Sequence, residues 1–196
     1  MKKNTNLRII SGKFKNRRIP VINEKKLRPT TNQIKETLFN WLNKKIKNSN
    51  CLDCFSGSGA LAIESISRAA KNVTLLEINK NMIQQIKYTV KKLNILEIEI
   101  IHTDTLKWLK KKTYDIVFLD PPFYNTILEK TIFLLENNIW LKNNAWIYIE
   151  QEKTKKNIYI PKNWILKKEK ITGKVKYCLY IRKINYFIEL KNKKKI

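Results

Sequence analysis

Residues 51–68, CLDCFSGSGALAIESISR, join a predicted strand to a predicted helix through a glycine-rich turn. Gly57 and Gly59, with Ala62 in the third place, match the pattern G-x-G-x-x-[GA]. Glycine permits a tight turn and lets the backbone approach a ligand closely. The chain has only 4 glycines, so two of them in one turn favour a ligand-binding loop over a purely structural strand-to-helix turn.

From residue 50 onward, strands and helices alternate along the chain. Apolar runs predict five strands, and stripes of apolar residues with helical spacing predict helices between them. Such repeats predict an α/β fold with a mostly parallel central sheet and helices on both faces, and residues 164–184 add an antiparallel C-terminal hairpin. The predicted strands are 50–55, 72–78, 96–101, 114–120 and 145–151, and the helices between them are 58–70, 79–94, 105–112 and 126–138.

The first 48 residues follow a different pattern and are predicted to extend a domain formed by residues 49–196. Two short β-like runs in LRIISGKFKNRRIPVI, residues 7–22, flank a turn and predict a hairpin. Thr31 is then expected to cap a helix whose apolar stripe runs from Ile34 to Ile46. This N-terminal block therefore predicts a basic hairpin followed by a helix.

The formal net charge of +25 indicates a polyanionic partner, because Lys and Arg gain affinity by releasing counterions from phosphates. However, Lys, Ile and Asn all have AT-rich codons, and a biased genome would raise the Lys content without selection for binding. The position of the Arg residues is therefore more informative than the total charge. Four of them, Arg8, Arg17, Arg18 and Arg28, lie in the N-terminal block.

Several classes of protein are disfavoured by composition. No apolar run approaches the roughly 18 to 20 residues of a membrane span, and the N-terminus lacks the apolar core of a secretory signal, so we expect a cytoplasmic protein. Cys51, Cys54 and Cys178 are expected to be free thiols, with Cys51 and Cys54 on opposite faces of a strand. With His102 as the single histidine, we expect no metal site.

Acidic side chains at the predicted strand ends indicate which ligand the glycine loop binds. Glu77 ends the second strand, where a carboxylate can accept both hydroxyls of a ribose. Asp53 directly precedes the glycines, where it would repel the pyrophosphate of a dinucleotide but attract the ammonium and sulfonium of S-adenosylmethionine. Asp53 therefore favours S-adenosylmethionine over a nicotinamide cofactor. Asp104, after the third strand, is a candidate partner for the adenine amino group or, equally, a helix N-cap.

The fourth strand ends in the motif DPPF, residues 120–123. The Asp120 carboxylate and the Pro121 carbonyl can accept the two hydrogens of a ring amine and so turn its lone pair toward a methyl sulfonium. Pro121 and Pro122 hold this turn rigid and offer no competing N–H, and Phe123 offers a face on which a base can stack. Methyl transfer by such a site depends on positioning and charge placement rather than on a strong base.

The sequence resembles a known family along almost its whole length. The segments LRIISGKFKNRRI, LRPTTNQIKETLFNWL, CLDCFSGSGALAIESISR, LDPPF and GKVKYCLYIR are similar, in this order, to those of the RsmD family of bacterial 16S rRNA guanine-N2 methyltransferases. The N-terminal segments are the most specific part of this resemblance, because many amino-methyltransferases share the glycine loop and DPPF. One departure is Ala62 and Ile63, where the family pattern has Gly-Leu.

The resemblance implies a Rossmann-like class I methyltransferase fold, S-adenosylmethionine as cofactor, and methylation of the exocyclic N2 of guanine 966. It implies a monomer that acts on 16S rRNA in an assembled or nearly assembled small subunit. The residues implied to surround the cofactor are Asp53, Phe55, Gly57, Gly59, Glu77, Ile78, Asp104, Thr105 and Asp120. Those implied to hold the guanine are Asp120, Pro121, Pro122 and Phe123, and those implied to contact RNA are Arg8, Lys13, Lys15, Arg17, Arg18, Arg28 and Thr30.

Three alternatives remain open at the level of sequence. A DNA adenine-N6 or cytosine-N4 methyltransferase would share DPPF, but such enzymes often carry a target-recognition region for which this chain has little room. A non-catalytic RNA-binding assembly factor would not need the complete set of strand-end acids. A nicotinamide-dependent dehydrogenase is disfavoured by Asp53.

Overall fold

The structure, a computed structural model, describes residues 6–20, 31–108, 112–122, 125–154 and 158–184. Its helices are α1 (Asn32–Trp41), α2 (Ala60–Ser67), α3 (Lys80–Lys92) and α4 (Asn125–Asn137), and a 3-10 turn spans Thr105–Lys107. Its strands are β1 (Asn6–Arg8), β2 (Arg18–Pro20), β3 (Asn50–Asp53), β4 (Asn72–Glu77), β5 (Ile98–His102), β6 (Tyr114–Leu119), β7 (Leu141–Glu152), β8 (Trp164–Thr172) and β9 (Val175–Arg182).

Seven of these strands form one sheet in the order β5-β4-β3-β6-β7-β9-β8. The first five in this order run parallel, whereas β9 lies antiparallel between β7 and β8. The chain runs outward from β3 to β4 and β5, and then returns to the other side of β3 as β6. Ligands of open α/β sheets bind at the carboxyl ends of the strands beside such a reversal. The predicted α/β fold and C-terminal hairpin are confirmed.

Helices cover both faces of the sheet, as predicted, because the side chains of buried strands alternate between two apolar clusters. Cys51, Ile116 and Phe118 point to the face covered by α1, α2 and α3. Leu52 and Val117 point to the other face, where α4 packs with three buried tryptophans. Cys51 and Cys54 belong to different clusters, and both are buried free thiols as expected. Among the described residues, no helix is long and apolar enough to cross a membrane.

The N-terminal hairpin packs directly on the helices of the first face. Strands β1 and β2 pair antiparallel, with Leu7 opposite Ile19. Both side chains are buried in the same cluster as α1 and α2. At the hairpin turn Gly12 has φ +84°, and a Cβ there would lie 1.7 Å from the carbonyl oxygen of Ser67. Only glycine fits at this contact, so the turn is fixed against the end of α2.

A buried ionic cluster fastens the hairpin to α1 and α2. Lys35 and Glu64 have no solvent-exposed side-chain area, and their Nζ and Oε2 atoms lie 3.3 Å apart. The Glu64 carboxylate also accepts hydrogen bonds from the backbone N–H groups of Ile10 and Ser11 and from Arg68 Nε. Burial lowers the pKa of Lys35, and the adjacent Glu64 opposes this shift. The periodicity of α1 and α2 did not predict this cluster.

Several predicted elements differ from the structure in extent. Helix α1 ends at Trp41, although the apolar stripe predicted for it runs to Ile46. Residues 105–112 were expected to be a short helix, but the 3-10 turn ends before Trp108, which takes an extended conformation, and residues 109–111 lie outside the described residues. Trp108 is buried against Trp140, with ring centroids 4.8 Å apart. Packing of this indole thus ends the helical turn. Strand β7 begins at Leu141 rather than at Ala145, with an irregular register opposite β6.

Candidate functional site

Three carboxylates lie at the carboxyl ends of three adjacent strands. Asp53 ends β3, Glu77 ends β4 on one side of it, and Asp120 directly follows β6 on the other side. Side chains two residues apart on a strand share a face. The residues two positions before these acids are Cys51, Leu75 and Phe118, which all point to the face of α1–α3. The three acids are therefore directed to one side of one edge of the sheet.

Asp53 is the central member of this group and is only 1% exposed. Burial raises the pKa of its carboxyl to about 8, the negative charge of Asp120 adds to this shift, and Glu77 contributes a smaller part. Backbone hydrogen bonds from Phe55 and Ala62 act in the opposite direction. Its Oδ2 atom has no hydrogen-bond partner among the described residues. A buried acceptor without a partner is costly, and a cationic ligand that donates hydrogen bonds would relieve that cost.

The glycine loop is held in place by the neighbouring strand. Glu77 Oε2 accepts a hydrogen bond from the N–H of Gly57 at 2.8 Å, and Oε1 accepts one from the N–H of Asn79 at 2.7 Å. Gly57 and Gly59 both have positive φ, of 52° and 74°. A carboxylate can accept about four hydrogen bonds, so Glu77 retains acceptor capacity for ligand hydroxyls while it orders the loop.

The loop after β5 closes a further side of the site. Asp104 caps the 3-10 turn by accepting a hydrogen bond from the N–H of Leu106 at 2.9 Å, which is the capping role considered for it. Thr105 is buried, and its hydroxyl donates to the carbonyl of Cys54. This hydrogen bond ties the loop to the end of β3. Beyond β4, the side chain of Ile78 is 65% exposed, and Phe55 is half-buried.

The tip of β6 carries the acceptors of the DPPF motif. Asp120 is half-buried, Pro121 is buried and Pro122 is exposed. Phe123, predicted to stack on a base, lies outside the described residues. Neither proline has a backbone N–H, so neither can satisfy the Asp120 carboxylate or the carbonyls of the turn.

Sequence reasoning missed two side chains beside this tip. Glu150 is only 3% exposed and accepts a hydrogen bond from the hydroxyl of Tyr148 at 2.8 Å. Burial raises the pKa of Tyr148, and the charges of Glu150 and Asp120 contribute to the same shift. The position of Glu150, directly after the apolar run AWIYI, could have indicated a buried acid with a specific partner, because a Glu is rarely buried in an apolar strand without one.

The predicted RNA contacts that can be located lie on the N-terminal hairpin. Arg8 donates to the side chain of Asn16, and the ammonium of Lys13 lies 5.2 Å from the ring centroid of Phe14. The side chains of Arg8, Lys13, Lys15, Arg17 and Arg18 are all exposed. Arg28 and Thr30 lie outside the described residues. The hairpin thus presents five cations to solvent on a scaffold fixed by the Lys35–Glu64 cluster.

Comparison with known proteins agrees with this arrangement. A family model described as "Conserved hypothetical protein 95" matches residues 7–181. The ribosomal RNA small subunit methyltransferase D of Buchnera aphidicola subsp. Baizongia pistaciae is 59% identical over 186 residues, covering 93% of this chain and 95% of the relative. The protein of the same name from Escherichia coli K12 is 43% identical over 178 residues and covers 90% of each chain.

A solved structure of Escherichia coli yhhF superposes with a TM-score of 0.85 at 40% identity, covering 91% of this chain and 99% of that chain. Matches of this extent include the N-terminal hairpin, the glycine loop and the DPPF turn. The chain therefore belongs to the family of the ribosomal RNA small subunit methyltransferases D.

Proposed function

We propose that this protein transfers a methyl group from S-adenosylmethionine to the exocyclic N2 of a guanine, guanine 966, in 16S rRNA of the small ribosomal subunit. The observation that carries the proposal is the convergence of Asp53, Glu77 and Asp120 on one face of the sheet edge. The Oδ2 atom of Asp53 is buried there and has no hydrogen-bond partner in the part of the chain that the structure describes. Family membership and the names of the relatives support the choice of ribosomal RNA as substrate.

The side chains around the glycine loop fit this cofactor. Asp53 would accept hydrogen bonds from the ammonium group, which would favour its ionised form despite burial. Glu77 would accept the ribose hydroxyls, and the exposed Ile78 would cover one face of the adenine. The remaining members of the proposed cofactor site are Phe55, Gly57, Gly59, Asp104, Thr105 and Asp120. A dinucleotide fits poorly, because its pyrophosphate would face three carboxylates.

When bound, the cofactor supplies an electrophilic methyl group on a sulfonium. The role of this chain is to present the nucleophile: the Asp120 carboxylate and the Pro121 carbonyl accept the two amine hydrogens of guanine N2, and Phe123 stacks on the base. Held in this way, the amine would present its lone pair to the methyl group, which would pass from the sulfur to the nitrogen, and the proton released from the nitrogen would go to solvent. Pro121 and Pro122 restrict the backbone, so that little reorganisation accompanies the reaction.

Residues 1–48 are proposed to act as an RNA-contacting extension of the methyltransferase domain formed by residues 49–196. The exposed cations of the hairpin would contact phosphates near the target, together with Arg28 and Thr30 of the segment that follows. We expect a monomer that acts in the bacterial cytoplasm. Its substrate is expected to be an assembled or nearly assembled subunit, because such a particle presents the target base in a fixed position relative to the phosphate contacts.

The proposal is tested by incubating the protein with labelled S-adenosylmethionine and small subunits from cells that lack the modification. Duplex DNA and naked 16S rRNA serve as the other substrates. We expect label in the subunits, and mass spectrometry of the digested rRNA should place one methyl group on guanine 966. Label that enters only duplex DNA would overturn the proposal in favour of a DNA amino-methyltransferase.

A further inference from the structure

A second surface, away from the strand-end acids, has the character of an RNA-binding groove. It is a groove of about 680 Å³ between the N-terminal hairpin and the C-terminal part of α3. This volume falls within the range of ligand-binding clefts, roughly 300–1,000 Å³. The groove is lined by Phe14, Asn16, Arg17, Arg18, Pro20, Tyr88, Thr89, Lys92, Leu93 and Asn94. Lys92 and Tyr88 are new here, since sequence reasoning treated α3 only as a core helix.

The charge of the groove is of one sign. Arg17, Arg18 and Lys92 are all exposed, and no acidic side chain is among the described residues that line it. The carbonyl groups at the end of α3 carry partial negative charge, but Lys91 and Lys92 lie in that last turn and offset it. Polyanions, rather than cations or neutral ligands, are therefore the complementary partners.

The groove also has an exposed aromatic face. Tyr88 is 61% exposed, although it lies on a helix whose aliphatic side chains pack inward. The ammonium of Lys92, one turn further along, lies 6.0 Å from the centroid of its ring. An aromatic face beside three cations matches what proteins use for single-stranded nucleic acid, where bases stack and phosphates pair with Lys or Arg.

The hairpin side of the groove is already ordered in this structure. Asn16, with φ 72°, donates from its N–H to the carbonyl of Ile9, and the N–H of Arg17 donates to the carbonyl of Phe14. Gly12 fixes the same turn against Ser67. The two arginines therefore project from a backbone that needs no folding on binding, which reduces the entropic cost of association.

We propose that this groove binds a single-stranded stretch of the same rRNA, with one base stacked on Tyr88 and its phosphates on Arg17, Arg18 and Lys92. The inference rests on the proposed function and adds a second RNA site to it. Helix α3 starts beside the cofactor edge, and its 13 residues span about 20 Å at 1.5 Å per residue. The groove at its far end is thus separate from the pocket of the target base and acts in substrate binding rather than in methyl transfer.

The test measures RNA binding by the full chain with Tyr88→Ala and Lys92→Ala. Tyr159→Ala and Lys162→Ala are matched controls, because both side chains are exposed on a loop remote from the groove. The probe is a short fluorescent single-stranded RNA of mixed sequence, with a duplex of the same length beside it. Thermal unfolding of each variant checks that the fold is intact.

We expect Tyr88→Ala to weaken binding of the single strand about tenfold, with a smaller effect on the duplex and no change in salt dependence. Lys92→Ala should reduce the slope of log affinity against log salt by about 0.7 for each phosphate that Lys92 neutralises. With undermodified subunits, both variants should raise KM while kcat stays close to wild type. The two control variants should match wild type in every measurement.

The groove proposal would be overturned if the affinity of Tyr88→Ala and the salt slope of Lys92→Ala equalled those of the controls. An equal loss of affinity for single-stranded and duplex RNA in Tyr88→Ala would also overturn it. This outcome is distinct from failure of the proposed function. If the wild-type protein bound RNA through Tyr88 and Lys92 but methylated no subunit RNA, the groove would stand and the methyltransferase proposal would fall.

Discussion

The carboxylate of Glu77 accepts a hydrogen bond from the backbone N–H of Gly57 at 2.8 Å, although the two residues are 20 positions apart in the chain. The contact joins the end of β4 to the loop that follows β3. Its consequence is that a residue proposed to bind the cofactor ribose also sets the shape of the glycine loop. Substitution of Glu77 therefore removes both a ligand contact and the order of the loop.

Glu77→Ala should weaken binding of S-adenosylmethionine more than tenfold, because hydrogen bonds to a charged acceptor are worth about 1.5–3 kcal/mol each. Isothermal titration calorimetry measures this directly. Glu97→Ala is the matched control, since Glu97 is exposed and its carboxylate accepts a local hydrogen bond from the N–H of Leu96. Equal affinities of the two variants would show that Glu77 does not contact the cofactor.

The raised pKa of Asp53 predicts that cofactor affinity depends on pH. At a pKa of about 8 the carboxyl is largely protonated at neutral pH in the absence of ligand. A cationic ligand favours the ionised form, so binding must release this proton. Affinity should therefore rise between about pH 6 and pH 7.5, by up to tenfold per pH unit. Asp53→Asn should bind more weakly and lack this rise, whereas parallel pH profiles would contradict the assignment.

The same pKa has an effect of opposite sign on the stability of the ligand-free protein. Because the folded pKa lies above the unfolded value of 3.8, the native state holds a proton that the unfolded state has lost between these two values. The free energy of unfolding should fall as pH rises through this window. Urea titrations of wild type and Asp53→Asn across the window should show a decline that is steeper in wild type.

Asp120→Ala should abolish methyl transfer while S-adenosylmethionine affinity stays within a few fold of wild type. The reason is that Asp120 is proposed to hold the amine of the substrate, whereas the ammonium and ribose contacts belong to Asp53 and Glu77. The pKa of Asp53 should fall in this variant, because the charge of Asp120 contributes to raising it. Single-turnover assays with undermodified subunits give the rate. Transfer at the wild-type rate would exclude the proposed role.

The Lys35–Glu64 pair predicts an asymmetric effect on stability. Glu64→Ala leaves the buried Lys35 without its ionic partner and two backbone N–H groups without their acceptor, and should lower the free energy of unfolding by about 3–5 kcal/mol. Lys35→Met keeps the side-chain volume and leaves Glu64 paired with Arg68. Because it removes the hydrogen bond from Lys35 to the Arg8 carbonyl, a loss of about 1–2 kcal/mol is expected. Urea unfolding curves should separate the two variants, and equal losses would argue against this account.

Much of the architecture could be predicted because strands and helices follow local periodicity. The apolar runs predicted strand β3, which ends at Asp53, and strand β6, which directly precedes Asp120. The predicted capping residue Thr31 correctly marked the start of α1. The helix expected at 105–112 was wrong at Trp108, whose backbone is extended and whose indole is buried in the core between α4 and the sheet.

The sequence alone determined the order of the elements, the glycine turn and the presence of an acid at the end of each central strand, because these depend on neighbours within a few positions. The tertiary structure decided which of these residues meet. Only the assembled sheet buries Asp53, which raises the pKa of its carboxyl, and places it between Glu77 and Asp120, whose charges add to the shift. Only the packing of the hairpin on the helices buries the Lys35–Glu64 pair, which joins α1 to α2, and forms the groove beside Tyr88 on α3. Such contacts join residues distant in the chain, and their energies depend on burial, which no local pattern specifies.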